Sequence, residues 1–223
     1  MKVIRRHTPC GDKELRLEER EGQLPKIHGY AAVFYDGTQA TEYRYYDVIE
    51  RILPGAFNFA LPKSDVRGLF NHDSNNVLGR NKSGTLALSI DGRGLAYVID
   101  TPKTSLGESV AESIRRRDVT GSSFAFTVGK RGQTWTRGDD GLYIREIVSV
   151  EELFDVGPVT YPAYTGTEAQ LRSLGIEPED LTEYKREADA AGKGGDDPAV
   201  AAALQAGHVR AAELRKLALS RHA

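Results

Sequence analysis

The sequence predicts a mostly β domain with flanking helices, an α+β chain, and three observations carry that reading. Short runs rich in Val, Ile, Tyr and Phe recur from about residue 28 to 165. The turn-forming stretches DGRG (91–94) and RGDDG (137–141) fall between neighbouring runs. Within that span only TSLGESVAESIRRRD (104–118) spaces its apolar residues as a helix does. β-Branched and aromatic residues suit a pleated, half-buried surface, while Gly and Asp supply the backbone conformations that hairpins demand.

Taken in order, HGYAAVFY (28–35), YRYYDVIERI (43–52) and VRGLFNH (66–72) are the first strand candidates, and GTLALSI (84–90) and GLAYVID (94–100) form a hairpin about DGRG. The helix that follows offers Ser105 and Glu108 as a capping box, with Leu106, Val110 and Ile114 on one face. It feeds directly into TGSSFAFTV (120–128), after which GLYIREIVSV (141–150) and LFDVGPVTY (153–161) complete the strands. Beyond PAYTGT (162–167) the character changes to a polar helix, the flexible linker AGKGGDDP and an Ala/Leu/Arg helix with a basic end. The chain thus divides into an N-terminal arm (1–24), a β domain (25–175) and a C-terminal tail (176–223). That tail is either solvated or a helix that docks a partner through its apolar face.

Composition narrows the function classes. Among 223 residues, 30 Lys and Arg stand against 32 Asp and Glu, so no long-range field marks a binder of nucleic acid or membrane. Cys10 is the only cysteine, which excludes an internal disulfide framework and a cysteine-cluster zinc site and fits a reducing, intracellular setting. MKVIRRHTPC has no apolar stretch of signal-peptide length, and no apolar run is long enough to cross a bilayer. A soluble, unexported protein without metal or cofactor is expected.

Five histidines are present, His7, His28, His72, His208 and His222. Only His28 and His72 fall in the expected folded core. His28 opens a strand as an ordinary surface residue would, whereas His72 ends a strand and enters a loop of Asn, Asp and Ser, the kind of place where function collects. Strand alternation in SSFAFTV puts Ser122, Phe124, Phe126 and Val128 on a bulky face and Ser123, Ala125 and Thr127 on a small one. The small face is where a substrate can approach, so Ser123 is the better nucleophile candidate. Because a serine hydroxyl needs a base at neutral pH, His72 is its natural partner. An acid that orients the imidazole comes from REIVSVEELFDV, which supplies Glu146, Glu151, Glu152 and Asp155. Glu146 and Glu152 share parity with Val148, Val150, Phe154 and Val156, an expensive placement for an unpaired acid, and Glu152 is preferred. No G-x-S-x-G elbow is present.

The ordered set HGYAAVFY, ERILPGAF, LFNHDSNNVLGR, SGTLAL with GRGLAYVID, TGSSFAFTV and LFDVGPVTYPAYTGT resembles the prohead maturation proteases of tailed bacteriophages, the HK97 type, over about residues 25 to 172. The resemblance implies a serine endopeptidase related in fold to the herpesvirus assembly proteases, a mostly antiparallel β-barrel flanked by helices. It carries the family's histidine onto His72 and its serine onto Ser123. Its third residue falls on Glu152, with Glu146 and Glu151 as alternatives. Relatives commonly carry glycine at the place of Ala125 and serine at that of Gly157. The implied substrates are the scaffolding segment of the major capsid protein precursor, scaffold and the protease itself, cut in the host cytoplasm inside the assembling prohead. The family implies no cofactor and makes a homodimer plausible.

Two other classes compete. One is a non-catalytic structural or scaffold-associated β-barrel of capsid assembly, against which the retention of both His72 and Ser123 counts. The other is a nucleic-acid-binding barrel, whose only aromatic candidate, EYRYYD (42–47), includes the acids Glu42 and Asp47.

Overall fold

The computed structural model describes residues 3–8, 15–45, 47–138 and 140–161, together with Thr182, Lys185, Arg186, Asp189, Ala202, Gln205, Ala206, Val209 and Glu213. The strands are β1 (Ile4–His7), β2 (Arg16–Arg20), β3 (Gln23–Val33), β4 (Tyr43–Tyr45), β5 (Val48–Ile52), β6 (Arg67–Leu69), β7 (Val77–Arg80), β8 (Leu86–Ile90), β9 (Gly94–Asp100), β10 (Gly121–Thr127), β11 (Gln133–Arg137), β12 (Tyr143–Ile147) and β13 (Glu152–Val159). The helix α1 (Ser105–Arg115) lies between β9 and β10.

Strands dominate, as the alternating runs predict, but they make three sheets rather than a barrel. The orders are β1-β10-β13-β6-β7, β11-β12-β5-β4 and β2-β3-β9-β8, and the sheets do not close on one another. The expected antiparallel barrel of the herpesvirus type is therefore corrected to open sheets. The physical reason is visible in the pairing. β12 runs parallel to β5 and β13 parallel to β6, and parallel neighbours need a long crossover where antiparallel ones need only a hairpin. Each sheet ends in strands paired on one side only, β1 and β7, β11 and β4, and β2 and β8, so no ring is closed.

Local chemistry explains the elements that sequence made visible. Asp91 closes the β8–β9 hairpin, its Oδ1 accepting from Arg93 N (2.8 Å) and Gly94 N (3.0 Å). RGDDG turns β11 into β12 with Gly141 at φ 81°, a left-handed conformation that glycine adopts at little cost. Helix α1 is capped one residue before the expected position. Thr104 is the N-cap, its side chain accepting from Gly107 N at 3.2 Å, and Glu108 sits in the first turn beside the positive end of the helix dipole. Gly107, Val110, Ala111 and Ile114 form its buried face.

The described strands of the N-terminal segment pair with the sheets. β1 adds to β10, and β2 to β3. Arg6 anchors β1 to a different sheet: its Nε and Nη2 donate to the Glu50 carboxylate at 2.6 and 2.8 Å, and Arg145 Nη1 donates to the same carboxylate at 2.5 Å. Glu50 has no exposed surface. Burial alone would raise its carboxyl, but the two guanidinium groups outweigh it and hold the group below its ordinary value. The core beneath is aromatic and aliphatic. The rings of Phe124 and Phe126 stack at 4.8 Å, with Phe57 edge-on to Phe124 at 5.8 Å. Ile27, Ile52, Ile99, Leu153 and Val156 belong to the same cluster.

Most of the expected C-terminal tail, including the AGKGGDDP linker, lies outside the described residues. Within it, Lys185 Nζ donates to both Asp47 carboxylate oxygens at 2.7 and 2.8 Å, and Tyr143 Oη donates to Asp189 at 3.2 Å. The position expected of Cys10 is likewise outside the described residues.

Candidate active site

β10 carries the nucleophile candidate between two neighbours, with His7 of β1 opposite Ser123 on one side and Gly157 of β13 opposite it on the other. Directly opposed residues in adjacent strands share a face. His7, Ser123 and Gly157 therefore share one, and so do Ala125 and Asp155, which pair two residues along. The other face of β10 belongs to the core. Ser122 Oγ lies 2.8 Å from Tyr97 Oη in a buried contact, so Ser122 packs and hydrogen-bonds locally while Ser123 faces the polar cluster.

The histidine arrives from the loop that follows β6. That strand lies parallel to β13, and the two backbones are unusually close: a Cβ at Gly157 would sit 1.9 Å from the Leu69 carbonyl oxygen. Only glycine permits this approach at position 157. Asn71 and His72, both at φ 57°, then turn the chain back over the sheet. His72 Nδ1 lies 2.5 Å from Asp155 Oδ1, and His72 Nε2 lies 2.5 Å from Ser123 Oγ. Acid, imidazole and hydroxyl thus stand in line, with the His72 and Asp155 side chains each 10% exposed and Ser123 fully buried.

A carboxylate only accepts, so the Asp155 contact places a proton on His72 Nδ1 and leaves Nε2 of the neutral ring as an acceptor. Ser123 Oγ has a second acceptor in range, the Arg6 carbonyl oxygen at 2.9 Å. One hydroxyl proton can serve only one of them. The arrangement able to react is the one in which Ser123 donates to Nε2.

The acids favoured from sequence parity stand elsewhere. Glu152 is exposed at the start of β13, opposite Thr127. Four residues of strand separate Thr127 from Ser123, roughly 13 Å at the usual rise, which is beyond hydrogen-bond reach of His72. Glu146 is on β12 in another sheet, 3.8 Å from Arg51. Glu151 precedes β13, and its N–H donates to the Thr127 carbonyl. The acid on His72 is Asp155. A register shift explains the difference. Ala125 pairs with Asp155 but Phe126 pairs with Leu153, so Phe154 is an extra residue in β13. Such a bulge breaks strict alternation, separating Asp155 from the core-facing Leu153 with which simple parity groups it.

His7 is a second imidazole at the site, and nothing in its sequence surroundings singles it out. Its ring centroid is 6.3 Å from that of His72. Burial, and then the neighbouring His72 and Arg6 charges, lower its pKa from 6.5 to about 4 against the opposing effect of a hydrogen bond to the Tyr161 backbone. His7 is consequently neutral over the physiological range. Its strand, IRRH, carries two adjacent arginines and nothing that marks a buried edge. His28, by contrast, pairs with Glu18 at 2.7 Å on β2, in a different sheet from the cluster. Among the described residues no group of three His, Cys, Asp or Glu side chains is arranged to hold a metal ion.

A hydroxyl, an imidazole and a carboxylate in this order define a serine-hydrolase type of site. Comparison with known proteins narrows the class. The family model of the caudovirus prohead serine protease matches residues 12–181, and the chain belongs to that family. It is accordingly a serine endopeptidase of bacteriophage capsid maturation. No curated protein and no solved structure matches it. Among the described residues no helix is long and apolar enough to cross a membrane.

Proposed function

We propose that Ser123, His72 and Asp155 are the catalytic triad of this prohead protease, and that it cleaves the capsid protein precursor, scaffold segments and itself inside the assembling prohead. The observation that carries the triad is the unbroken line from Asp155 Oδ1 through the imidazole to Ser123 Oγ, with 2.5 Å at each contact.

In this reading His72 Nε2 takes the Ser123 proton as Oγ attacks a peptide carbonyl, and Asp155 holds the ring in its tautomer and stabilises the imidazolium that forms. The imidazolium then gives its proton to the leaving amine, and water releases the acyl-enzyme by the same steps reversed. Ser123 exposes no surface, so a substrate carbonyl reaches Oγ only when the groups that cover it move aside. The family's context supports capsid precursor proteins as substrates.

Co-expression with the cognate capsid precursor, followed by intact-mass spectrometry, tests this function. Precursor shortening is expected with wild-type protein and none with Ser123→Ala or His72→Ala. Undiminished processing by a folded Ser123→Ala variant overturns the nucleophile assignment, and processing that survives Asp155→Ala but not Glu152→Ala overturns the acid.

A further inference from the structure

The geometry points to Asn71 as the positioning residue for His72: its bridge to Thr160 fixes the turn that aims the imidazole between Asp155 and Ser123. This rests on the triad reading above. Asn71 Oδ1 accepts from Thr160 N at 2.8 Å, Asn71 Nδ2 donates to Thr160 Oγ1 at 3.0 Å, and Asn71 N donates to the Pro158 carbonyl at 3.1 Å. All three contacts reach the end of β13, the strand that carries Asp155. The side chain therefore references the histidine loop to the same strand that holds the orienting acid.

The turn needs such a restraint. Asn71 and His72 both have φ 57°, a conformation that asparagine visits readily and histidine less so. Two consecutive left-handed residues persist only where the surroundings over-determine them. The rest of the loop has its own fastening. Asp73 accepts from Asn75 N at 2.8 Å and from Asn76 Nδ2 at 3.2 Å, and Phe70 N donates to the Asn76 carbonyl at 3.1 Å. The Asn71–Thr160 bridge is exposed, so it adds little to the stability of the fold. What it does fix is the direction in which residue 72 leaves the sheet.

Reaction of the full chain with an alkyl fluorophosphonate tests the role without a peptide substrate. The Ser123 Oγ–P bond forms as P–F breaks, fluoride leaves, and the hydroxyl proton passes to His72. Wild type is expected to be labelled at Ser123, located by peptide mass spectrometry, and His72→Ala to lose the reaction. Asn71→Ala is expected to label about 10²-fold more slowly, the scale of a displacement near 1 Å in a catalytic group. Asn71→Asp, which keeps the left-handed preference and the acceptor for Thr160 N, restores most of the rate. A far-downfield proton resonance from His72 Nδ1–H on Asp155, present in wild type and in Ser123→Ala, is expected to be lost in Asn71→Ala while the unfolding midpoint barely moves. A folded Asn71→Ala that labels at the wild-type rate and keeps the resonance overturns the positioning role and leaves the triad standing. If Asn71→Ala does not fold, Asn71→Gly, which accepts φ 57° and removes both side-chain bonds to Thr160, decides: slower labelling supports the bridge, and an unchanged rate and resonance overturn it. Failure of wild type to label at Ser123 overturns the triad and the positioning role together.

Discussion

Two buried polar clusters meet the same N-terminal strand, and they differ in how their hydrogen-bonding capacity is used. Around Glu50, three charge-assisted bonds from Arg6 and Arg145 converge on one carboxylate, and Arg145 Nε donates onward to Gln133 at 2.7 Å. Each of these protons has its acceptor. Around His72, one hydroxyl proton stands between two acceptors, His72 Nε2 and the Arg6 carbonyl. The first cluster is saturated and holds strands together, while the second has a proton that can move. What separates a structural charge cluster from a reactive one here is the presence of an alternative for one proton, since both are buried and both join distant segments.

That contrast can be broken from either side. Ser123→Ala or His72→Ala is expected to lower the turnover number for precursor cleavage by about 10⁶-fold, the scale of losing the nucleophile or base in serine hydrolases. Asp155→Asn should cost about 10⁴-fold by allowing the wrong tautomer. Glu152→Gln should leave cleavage within about 2-fold, as expected of a surface charge. Glu50→Gln instead acts on stability. It leaves two buried guanidinium groups short of a counter-charge and should cost about 3–5 kcal/mol in denaturant unfolding. Acid sharpens the comparison further. His7 titrates near 4 in the fold against 6.5 in the unfolded chain, so between those values the unfolded state binds the extra proton. Stability should be complete above pH 6.5 and fall progressively as the pH drops to about 4. His7→Gln should flatten that slope in chemical denaturation measured across the interval. The smallest effect belongs to Ser122→Ala, which removes the contact with Tyr97 and should cost about 1 kcal/mol while cleavage continues.

Much of the strand inventory was legible because alternation and turn chemistry are local. HGYAAVFY, GTLALSI, GLAYVID and SFAFTVG each fall on a strand, and both marked turns join paired strands. Alternation in SSFAFTV also separated Ser122 from Ser123 as the structure does, one on Tyr97 and the other on His72. The contact of Asp155 with His72 was not legible, because the extra residue at Phe154 alters parity only through pairing with β10. The barrel expectation was not met for a similar reason, since which strands are left at the edges of each sheet is a tertiary choice that no run of residues announces. β1 has no apolar alternation to mark it, and its Arg6 is 4% exposed and paired with Glu50. Asn71 looked like ordinary loop composition until its partner 89 residues away was known.

The spacing of the site along the chain has a consequence for timing. Ser123 meets Arg6 across 117 residues, and His72 meets Asp155 across 83. Contacts so far apart in sequence are the slowest to form, because the loops they close must be ordered before any contact repays the cost. A polypeptide still emerging from the ribosome, with Asp155 not yet synthesised, has a serine and a histidine but nothing to hold the imidazole. In the proposed triad, hydrolytic competence is thereby tied to completion of the fold.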